Sequence, residues 1–412
     1  MIFDSESVFE ENVITVLKQH GWKDGVLRYP TERDLLDNWK GILYRNNNDI
    51  DRLGKYPLTD GEMTQIIEQI ETLRTPLALN SFVNGRTVSI TRDNKEDVAH
   101  FGKEVSLYIY DRKEIAGGKS TYQIAQQPVY PAKNKMLNSR RGDLVLLING
   151  MPLIHIELKK SGIPVSQATN QIEKYAHEGV FTGLFRLVQI FVAMNPDDAV
   201  YFANPGVDKF NPSYYFHWAD YNNEPICGGQ NPGKDEWKLF IGGTSGTAGL
   251  LSIPMAHQLI GFYTIADSAD GCLKVLRSYQ YIAANAISDV VRKCDWEQRP
   301  ATPGRPGGYV WHTTGSGKTM TSFKSAQLIA DSHDADKVVF LMDRIELGTQ
   351  SLKEYRSFAD SETEVQGTEN TGVLRDKLNS TNVNDTLIVT SIQKMSNVKT
   401  GERGVTQTWL DQ

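Results

Sequence analysis

The sequence contains few cysteines and no pattern of a secretory signal. Among its 412 residues are three cysteines, Cys227, Cys272 and Cys294, and no two of them form a CxxC pair. An odd number of widely spaced cysteines fits no disulfide framework, so reduced thiols and a cytoplasmic location are expected. The first residues, MIFDSES, lack the basic and apolar regions of a signal peptide. A small, disulfide-stabilised secreted protein is therefore not expected.

The sequence also lacks a convincing membrane-spanning run. One stretch, 239–266, contains no Asp, Glu, Lys or Arg, but it holds five glycines, Pro254, His257 and Gln258. Such a composition is poor material for a spanning helix. We expect this stretch to join two domains and to lead into buried structure, with no membrane association.

Charge of one sign is not in strong excess. The net charge is −6, and hydrophobic and charged residues make up 40% and 23% of the chain. These values are typical of a globular protein, and 412 residues are enough for two or three domains. A slightly acidic chain does not coat nucleic acid, but a local basic channel remains compatible with it, because affinity depends on the cations that meet phosphates.

The first part of the chain has the texture of a mixed α/β domain. Ser5 is a candidate N-cap for a first helix, and a second helical pattern runs over 59–73. Short β-type runs follow between residues 87 and 156, then a helix over 165–177 and the strands LVQIFVAM and AVYFAN. We predict one domain over residues 1–245.

The rest of the chain predicts a second, parallel-sheet domain. Helical periodicity returns near Leu276, and DWEQRPATPGRPGGY at 295–309 is a Pro/Gly-rich linker. A strand–loop–helix unit follows, then KVVFLMD and TLIVTSI separated by helical segments; such alternation favours a parallel sheet covered on both faces. We assign 246–308 to a joint and linker and 309–412 to this domain.

A phosphate-binding loop is the most specific motif of the second domain. Residues 309–319 read YVWHTTGSGKT, an apolar run, a glycine-rich loop and then a helix, although His312 stands where the first glycine is usual. Backbone N–H groups and the helix N-terminus bind phosphates in such a loop, the lysine binds the β- and γ-phosphates, and the threonine hydroxyl ligates Mg²⁺. The expected nucleotide-binding residues are Thr314, Gly315, Ser316, Gly317, Lys318 and Thr319.

The form HTTGSGKT resembles superfamily 2 helicases. RSYQ at 277–280 is similar to the upstream element in which Gln280 would contact adenine, while FLMDRIELGTQ and VTSIQKM are similar to later motifs of that family. Asp343 is an alternative Walker B aspartate, although arginine rather than glutamate follows it. No acidic DE-x-H pair follows the loop in this sequence, so we expect ATP binding without coupled hydrolysis.

A second constellation predicts metal-dependent phosphodiester cleavage. RRGDLVLLINGMPLIHIELKK contains Asp143, Glu157 and Lys159 in a D-x(n)-E-x-K pattern. Two carboxylates supply hard oxygen ligands for Mg²⁺, and a lysine on the same face orients or deprotonates the attacking water. Alone, this spacing is weak evidence for a nuclease site, because it often arises by chance and because carboxylates on an exposed hairpin usually only face solvent.

The strand register offers a test of the nuclease pattern. Asn149-Gly150 is a hairpin signal. A strict two-residue turn pairs Asp143 with Ile156 and sends the aspartate to the wrong face. We therefore predict a three-residue loop, 149–151, or an equivalent bulge, either of which pairs Asp143 with Glu157.

Further residues support the nuclease interpretation. Gln171 and Tyr175 (QIEKY) are four apart on a predicted helix, resembling the QxxxY element of RecB-type and type I restriction nucleases. Glu10 resembles the first acidic residue of those nucleases, with Glu6 and Glu11 as rivals. A basic run precedes Asp143 and is either a solvated loop or a phosphate-contacting edge; its members are Lys133, Lys135, Arg140 and Arg141.

Taken in order, these motifs resemble the restriction subunit of type I restriction–modification enzymes across essentially the whole chain. The resemblance implies an α/β protein: a restriction-endonuclease-like mixed-sheet domain, then a partial RecA-like P-loop helicase domain with a parallel sheet. It implies Mg²⁺ (at Asp143, Glu157 and Thr319), ATP, double-stranded DNA, translocation before cleavage, and methyltransferase and specificity subunits as partners. The alternatives are another helicase–nuclease, of type III restriction or repair type, and a catalytically idle fragment that docks the methyltransferase.

Overall fold

The computed structural model describes residues 2–115, 117–130, 140–207, 209–229, 235–293, 307–343, 345–359 and 364–398. The chain divides into two compact units: unit 1 comprises Met1–Thr264 and Gly271–Ser278, and unit 2 comprises Ile265–Asp270 and Tyr279–Gln412. The stretch after residue 245, expected to join two domains, thus lies within unit 1 as far as Thr264. There the buried Trp22 donates its indole N–H to the carbonyl oxygen of Leu251 at 2.7 Å.

Unit 1 is a mixed α/β structure. Its helices are α1 (Glu6–Gln19), α2 (Glu32–Asn46), α3 (Asp60–Thr72), α4 (Pro76–Asn84), α5 (Val165–Glu178), α6 (Glu236–Gly242) and α7 (Ile253–Gly261). Its first eight strands are β1 (Val26–Arg28), β2 (Thr87–Thr91), β3 (Glu104–Tyr108), β4 (Tyr122–Gln126), β5 (Leu144–Ile148), β6 (Met151–Leu158), β7 (Ile190–Met194) and β8 (Ala199–Ala203). The predicted helices over 59–73 and 165–177 and the strands between 87 and 203 are confirmed, whereas α2 and α4 were not predicted from the sequence.

A six-stranded sheet forms the centre of unit 1, in the order β1-β4-β5-β6-β7-β8. The pairs β1–β4 and β6–β7 are parallel and the other neighbours antiparallel. Every residue of the strands β4 to β8 is buried, so both faces of the sheet are covered. Helix α5 packs on one face, where its Ile172 joins Phe191 and Phe202 in a hydrophobic cluster. A second, antiparallel pair is formed by β2 and β3.

The hairpin β5–β6 decides which side chains share a face. Its turn is the two-residue Asn149-Gly150, with φ of 53° and 83°, and Ile148 pairs with Met151 across it. The predicted three-residue loop is therefore wrong. The alternative, an equivalent bulge, is confirmed: beyond an irregularity at Leu146/Leu147 the register shifts by one residue and Leu144 pairs with Ile156. Continued by one residue, this register puts Asp143 opposite Glu157.

The first helix shows how local sequence positions the upstream acid. The Ser5 side chain accepts a hydrogen bond from the backbone N–H of Val8, which caps α1 as predicted. Phe9, Val13 and Leu17 are fully buried along one side of this helix. Glu10 follows Phe9 directly and is also buried, so α1 carries a carboxylate into the interior of unit 1.

Unit 2 contains a three-stranded parallel sheet in which β11 (Val338–Met342) pairs with the central β13 (Leu387–Ser391), and β13 pairs with β12 (Val365–Gly367). Its elements are α8 (Ser278–Lys293), α9 (Lys318–Ser332), β11 (Val338–Met342), α10 (Ile345–Phe358), β12 (Val365–Gly367), α11 (Thr371–Asn379), β13 (Leu387–Ser391) and α12 (Ile392–Ser396). Phe323, Tyr355 and Val389 belong to its hydrophobic core. Two short strands, β9 (Thr264–Asp267) and β10 (Cys272–Val275), lie where the chain passes between the units.

One expected strand of unit 2 does not form. The apolar run Tyr309-Val310-Trp311 was expected to be a strand leading into the phosphate-binding loop, but it is irregular. These side chains are 90%, 44% and 88% exposed. No strand of the described part of unit 2 pairs with this run, and a lone strand leaves its backbone hydrogen bonds to water.

No helix in the described ranges is both long and apolar enough to span a membrane. Cys227 is a buried free thiol, as expected. Cys294, Lys133, Lys135 and most of the predicted linker at 295–309 lie outside the described residues.

Candidate functional site

Asp143 and Glu157 lie side by side, Asp143 just before the start of β5 and Glu157 near the end of β6. Asp143 directly precedes β5, and its Oδ2 accepts a hydrogen bond from the backbone N–H of Leu158 at 2.7 Å. Glu157 is fully buried, and neither of its carboxylate oxygens accepts a well-formed hydrogen bond in the described part of the protein. A buried carboxylate with unused lone pairs is costly unless a cation or a proton neutralises it.

The electrostatics of this pair follow from burial. Desolvation raises the pKa of Glu157 to about 8, against partial compensation by Lys159. Desolvation, and then repulsion from Glu157, raise the pKa of Asp143 well above its ordinary value. Both shifts oppose the doubly ionised state in the absence of a cation. The arrangement therefore favours binding of either protons or a positively charged ligand.

Lys159 follows Glu157 on the same face of β6 and is 7% exposed. Its Nζ lies 3.5 Å from Glu157 Oε1 and 3.7 Å from Glu6 Oε1. The same Nζ donates a hydrogen bond to the carbonyl oxygen of Leu158 at 2.9 Å. The ammonium group thus lies beside the carboxylate pair, as the D-x(n)-E-x-K pattern requires.

A third side chain on this face was missed from the sequence. His155 is fully buried, two residues before Glu157, and its Nε2 lies 3.3 Å from Glu157 Oε2. Its Nδ1 lies 2.9 Å from the hydroxyl of the buried Tyr130. Burial lowers the pKa of His155 to about 4, so its imidazole is neutral near pH 7. The sequence signal was its i, i+2 spacing from Glu157, which the nuclease pattern does not include.

Of the three candidate upstream acids, Glu10 is the buried one, at 3% exposure. Its Oε1 accepts a hydrogen bond from Gln126 Nε2 at 2.5 Å, and its Oε2 accepts one from Gln127 Nε2 at 3.2 Å. Desolvation raises the pKa of Glu10, and its charge adds to the upward shift in the pKa of Asp143. Glu11 instead pairs with Arg28 at 2.7 Å, at a side-chain exposure of 48%. Geometry favours Glu10 over Glu11 as a member of the cluster, with Glu6 on the Lys159 side.

Gln171 and Tyr175 lie on one side of α5 and contact each other. Gln171 Nε2 donates to the Tyr175 hydroxyl at 2.7 Å, and that hydroxyl donates to the carbonyl oxygen of Arg141 at 2.9 Å. Arg141 lies two residues before Asp143, and the Tyr175 ring meets the His155 ring edge to face, with centroids 6.4 Å apart. Tyr175 therefore contacts Arg141 and His155, which lie next to the carboxylate pair, and Gln171 supports Tyr175.

Both arginines of the basic run that the structure describes, Arg140 and Arg141, contact other side chains of the protein. Arg140 donates two hydrogen bonds to the Glu178 carboxylate, at 2.8 and 2.9 Å. The guanidinium of Arg141 lies 5.8 Å from the ring centroid of Tyr29. Arg141 is the more exposed of the two arginines, and it is the better candidate for contact with a phosphate.

The glycine-rich loop of unit 2 has the backbone of a phosphate-binding loop. Gly315 and Gly317 have φ of 77° and 81°, which favours glycine at both positions. Helix α9 begins at Lys318, so Lys318 and Thr319 occupy its first turn. Lys318 is exposed, and its Nζ donates to the carbonyl oxygen of Thr313 at 3.1 Å. Thr314 is exposed in the same loop.

Side chains around the loop hold its shape. His312 Nδ1 lies 2.8 Å from Ser316 Oγ, so the histidine in the usual glycine position bridges the loop. Tyr279 donates its hydroxyl to the carbonyl oxygen of Ser316 at 2.8 Å. Gln280 is 3% exposed and donates to the carbonyl oxygen of Gly317 at 3.2 Å. The expected adenine-contacting residue thus lies directly against the loop. Asp343 is exposed after β11.

No group of three or more His, Cys, Asp or Glu residues in the described ranges is arranged to hold a metal ion by itself. Asp143 and Glu157 are two carboxylates, and a pair of this kind leaves most of the coordination of a hard cation to carbonyl groups, water or a phosphate.

Two family models match the chain. The model described as type I restriction enzyme R protein N terminus matches residues 4–210, and the model described as SWI2/SNF2 ATPase matches residues 279–409. The first match covers half of the chain and contains every residue of the candidate cleavage site. The second contains the glycine-rich loop and the parallel sheet of unit 2.

Curated relatives carry names that agree with the first model. The type I restriction enzyme SsaAORF53P endonuclease subunit of Staphylococcus saprophyticus is 32% identical over 96% of this chain and 37% of its own length. The SauMSSORF170P endonuclease subunit of Staphylococcus aureus is 33% identical over 96% of this chain and 37% of its own length. The EcoprrI endonuclease subunit of Escherichia coli is 26% identical over 75% of this chain and 90% of its own length. The chain therefore spans about 37% of the length of the first two of these relatives, and it belongs to the family of type I restriction enzyme R (endonuclease) subunits.

Proposed function

We propose that unit 1 is a Mg²⁺-dependent endonuclease of the restriction-endonuclease-like (PD-(D/E)xK) fold class that cleaves double-stranded DNA. The observation that carries this proposal is the state of Glu157: it is fully buried, it lies beside Asp143, and neither carboxylate oxygen accepts a well-formed hydrogen bond in the described structure. A bound metal cation would neutralise the Glu157 carboxylate by direct contact, which no neighbouring side chain in the described structure does. Within the described ranges, Lys159, at 3.5 Å, is the one ammonium group at the pair.

The donor set fits a hard divalent cation. Asp143 and Glu157 would hold Mg²⁺ through carboxylate oxygens, which are the ligands that this ion prefers. When bound, the metal supplies a nucleophile at neutral pH and stabilises negative charge on the phosphate. Neutral His155 lies beside Glu157, and the amides of Gln126 and Gln127 bind the nearby Glu10, so none of the three adds a competing charge.

The protein's own residues supply orientation and proton handling. Lys159 Nζ lies on the Glu157 side of the pair, where an ammonium group orients the attacking water and offsets charge that develops on the phosphate. The Tyr175 hydroxyl, which accepts a hydrogen bond from Gln171, holds the backbone carbonyl group of Arg141. This contact orients the chain segment that leads into Asp143. Glu10 adds a third negative charge at the site, anchored by two glutamine amides.

Unit 2 is proposed as the ATP-binding part of a DNA translocase. Lys318 would contact the β- and γ-phosphates, Thr319 would hold Mg²⁺, and Gln280 would contact adenine. In this proposal the chain is the first part of a motor and nuclease subunit that acts with methyltransferase and specificity subunits. Translocation of duplex DNA driven by ATP would then precede cleavage.

A plasmid-nicking assay with Mg²⁺ tests the nuclease proposal. The wild-type chain, alone and with the other subunits, should convert supercoiled DNA to nicked or linear DNA. Asp143→Ala and Glu157→Ala should each reduce cleavage to background, because either change removes a proposed metal ligand. Nicking by Asp143→Ala at the wild-type rate would sink the assignment.

A control variant should change a carboxylate outside the cluster. Glu173 lies on α5, and its exposed side chain is 3.6 Å from His177; Glu173→Ala should therefore cleave like the wild type. Parallel measurements on Glu10→Ala, Glu6→Ala and Glu11→Ala decide which upstream acid contributes. Complete inactivity of the wild type, with normal assembly of the methyltransferase, would favour the idle docking role.

A further inference from the structure

Unit 1 contains two buried tyrosine–histidine pairs that resemble each other. In the first, the Tyr130 hydroxyl lies 2.9 Å from His155 Nδ1. In the second, the Tyr122 hydroxyl lies 2.9 Å from His257 Nδ1. Both histidines are fully buried. The pairs differ in what faces the other ring nitrogen, and that difference separates a structural pair from a pair that acts on the candidate site.

The second pair ends on the backbone. His257 Nε2 lies 3.0 Å from the carbonyl oxygen of Asp111, an acceptor that requires N–H on Nε2. The first pair ends on a carboxylate, since His155 Nε2 lies 3.3 Å from Glu157 Oε2. Neither His155 Nε2 nor Glu157 Oε2 has a closer hydrogen-bond partner within the described structure.

The tautomer of His155 follows from electrostatics. With N–H on Nε2, the Tyr130 hydroxyl donates to Nδ1, and the partial positive charge of Nε2–H lies beside Glu157 Oε2, 3.3 Å from Nε2, so both contacts are attractive. With N–H on Nδ1, a lone pair on Nε2 would face an ionised Glu157 in a buried, low-dielectric site, which is repulsive. The ionised carboxylate, the form that binds a metal, therefore selects the Nε2–H tautomer.

The backbone at Gly142 leaves the space that this pair occupies. A Cβ atom at Gly142 would lie 2.5 Å from the Tyr130 hydroxyl and 2.8 Å from His155 Cε1. Gly142 directly precedes Asp143 in the chain. The segment that leads into Asp143 thus packs closely against the pair that contacts Glu157.

We propose that Tyr130 and His155 form a positioning pair for Glu157. Tyr130 fixes the imidazole, the Nε2–H of the imidazole attracts Oε2 at 3.3 Å, and Oε1 is left on the Lys159 side for the metal. This inference rests on the proposed nuclease function. His155 is a positioning residue and does not contact the phosphate. Groups that orient a metal ligand typically change metal affinity about 10–100-fold when they are removed.

Binding of Mn²⁺ to the full chain, followed by electron paramagnetic resonance, measures this role without catalysis. His155→Phe keeps a ring of similar size but removes both nitrogens, and it should raise the Mn²⁺ dissociation constant about tenfold or more. His155→Gln retains a donor near Nε2 and should recover part of the affinity. Tyr130→Phe removes only the hydroxyl, and it should give a smaller increase in the dissociation constant.

The matched control is His257→Phe with Tyr122→Phe. These substitutions remove a buried pair of the same kind from the same unit, so they report the cost of disturbing the interior. They should leave the Mn²⁺ dissociation constant at the wild-type value, whatever they do to the melting temperature. Equal increases for the two pairs would reduce His155 to an interior packing residue and overturn the proposal.

The tautomer gives an independent readout. Nitrogen-15 spectra of histidine-labelled chain at pH 9, without metal, should show His155 with N–H on Nε2 and should lose that signal in His155→Phe. A proton on Nδ1 would overturn the proposal even if metal binding is normal. If His155→Phe binds Mn²⁺ with wild-type affinity while Asp143→Ala loses binding, the positioning role of the pair is overturned and the proposed nuclease function is not. Absence of Mn²⁺ binding to the wild type overturns the proposed nuclease function together with it.

Discussion

At the scale of single residues, Glu157 is the most unfavourably placed charged group of the candidate site. Glu157 has no exposed surface and accepts no well-formed hydrogen bond in the described structure, and a carboxylate in this state lowers the stability of a fold. Lys159 and His155 lie 3.5 and 3.3 Å away, too far for short charge-assisted hydrogen bonds. Its position is explained when a cation completes its interactions.

The titration of Glu157 predicts how stability depends on pH in metal-free buffer. Its pKa is raised from 4.5 to about 8 in the folded chain. Between these values the folded chain holds a proton that the unfolded chain has lost, so stability falls as pH rises. His155, whose pKa is lowered to about 4, acts in the opposite direction only below 6.5. From 6.5 to 8, therefore, His155 no longer contributes, and the buried pair of Glu157 and Asp143 dominates the pH dependence.

Glu157→Gln removes this titration and keeps the shape of the side chain. We expect it to gain stability relative to the wild type, on the order of 1 kcal/mol per pH unit, as the pH rises from 6.5 to 8. Urea unfolding with EDTA present, followed by the emission of buried tryptophans in unit 1, measures the difference; these are Trp22, Trp39, Trp218 and Trp237. A difference that does not change over this interval would contradict the pKa shift.

At the scale of elements, the β5–β6 hairpin aligns the site. Its two-residue turn and the following bulge together produce the register in which Leu144 pairs with Ile156. Without the bulge, the two-residue turn would place Asp143 opposite Ile156, on the wrong face. Asn149 and Gly150 have positive φ, as the right-handed twist of a tight hairpin requires.

Gly150→Ala tests the close packing of this turn. A Cβ atom there would meet a positive φ of 83° and lie 2.9 Å from the Cα atom of Trp39, a backbone atom that cannot rotate away. We expect a loss of stability of roughly 2–4 kcal/mol, the sum of left-handed strain and overpacking.

Gly162→Ala is the matched control for that change. Gly162 has a φ of 80°, but no atom lies within 4 Å of the position that an alanine methyl group would take, so only strain of roughly 1–2 kcal/mol is expected. Urea midpoints of unit 1 compare the two variants. Equal losses would show that Trp39 moves aside and that packing against the turn contributes little.

At the scale of the whole molecule, the two candidate sites belong to separate compact units. The carboxylate pair is in unit 1, and the glycine-rich loop with Gln280 is in unit 2. Each is built from contacts within its own unit, such as Tyr175 to Arg141 and Tyr279 to Ser316. Changes at one site should therefore leave ligand binding at the other largely intact.

Lys318→Ala tests this separation. It should weaken binding of a fluorescent ATP analogue by about tenfold or more, since the loss of a charge-assisted contact of about 1.5–3 kcal/mol corresponds to such a factor. Mn²⁺ binding in unit 1 should not change. Lys353→Ala, an exposed lysine on α10, should bind the analogue like the wild type. Unchanged affinity in Lys318→Ala would exclude the glycine-rich loop as the ATP site.

The sequence by itself determined the local elements and the chemistry of the motifs. Ser5 caps α1, short β-type runs predict the strands of unit 1, and GSGKT predicts the loop before α9, because these signals depend on residues near in the chain. The family resemblance is confirmed by the match over 4–210. The roles of Asp143, Glu157 and Lys159 as catalytic residues remain predictions.

The tertiary structure alone decided which residues meet across the chain. A bulge rather than a longer loop aligned the hairpin, since both solutions satisfy the same pattern and packing against Trp39 and β7 is non-local. It buried Glu10 and left Glu11 paired with Arg28, a choice that neighbouring glutamates on a helix do not reveal. It also brought Tyr130 to His155 over 25 residues and left 309–311 unpaired within the described ranges. Burial and partner strands come from distant segments, so no local pattern encodes them.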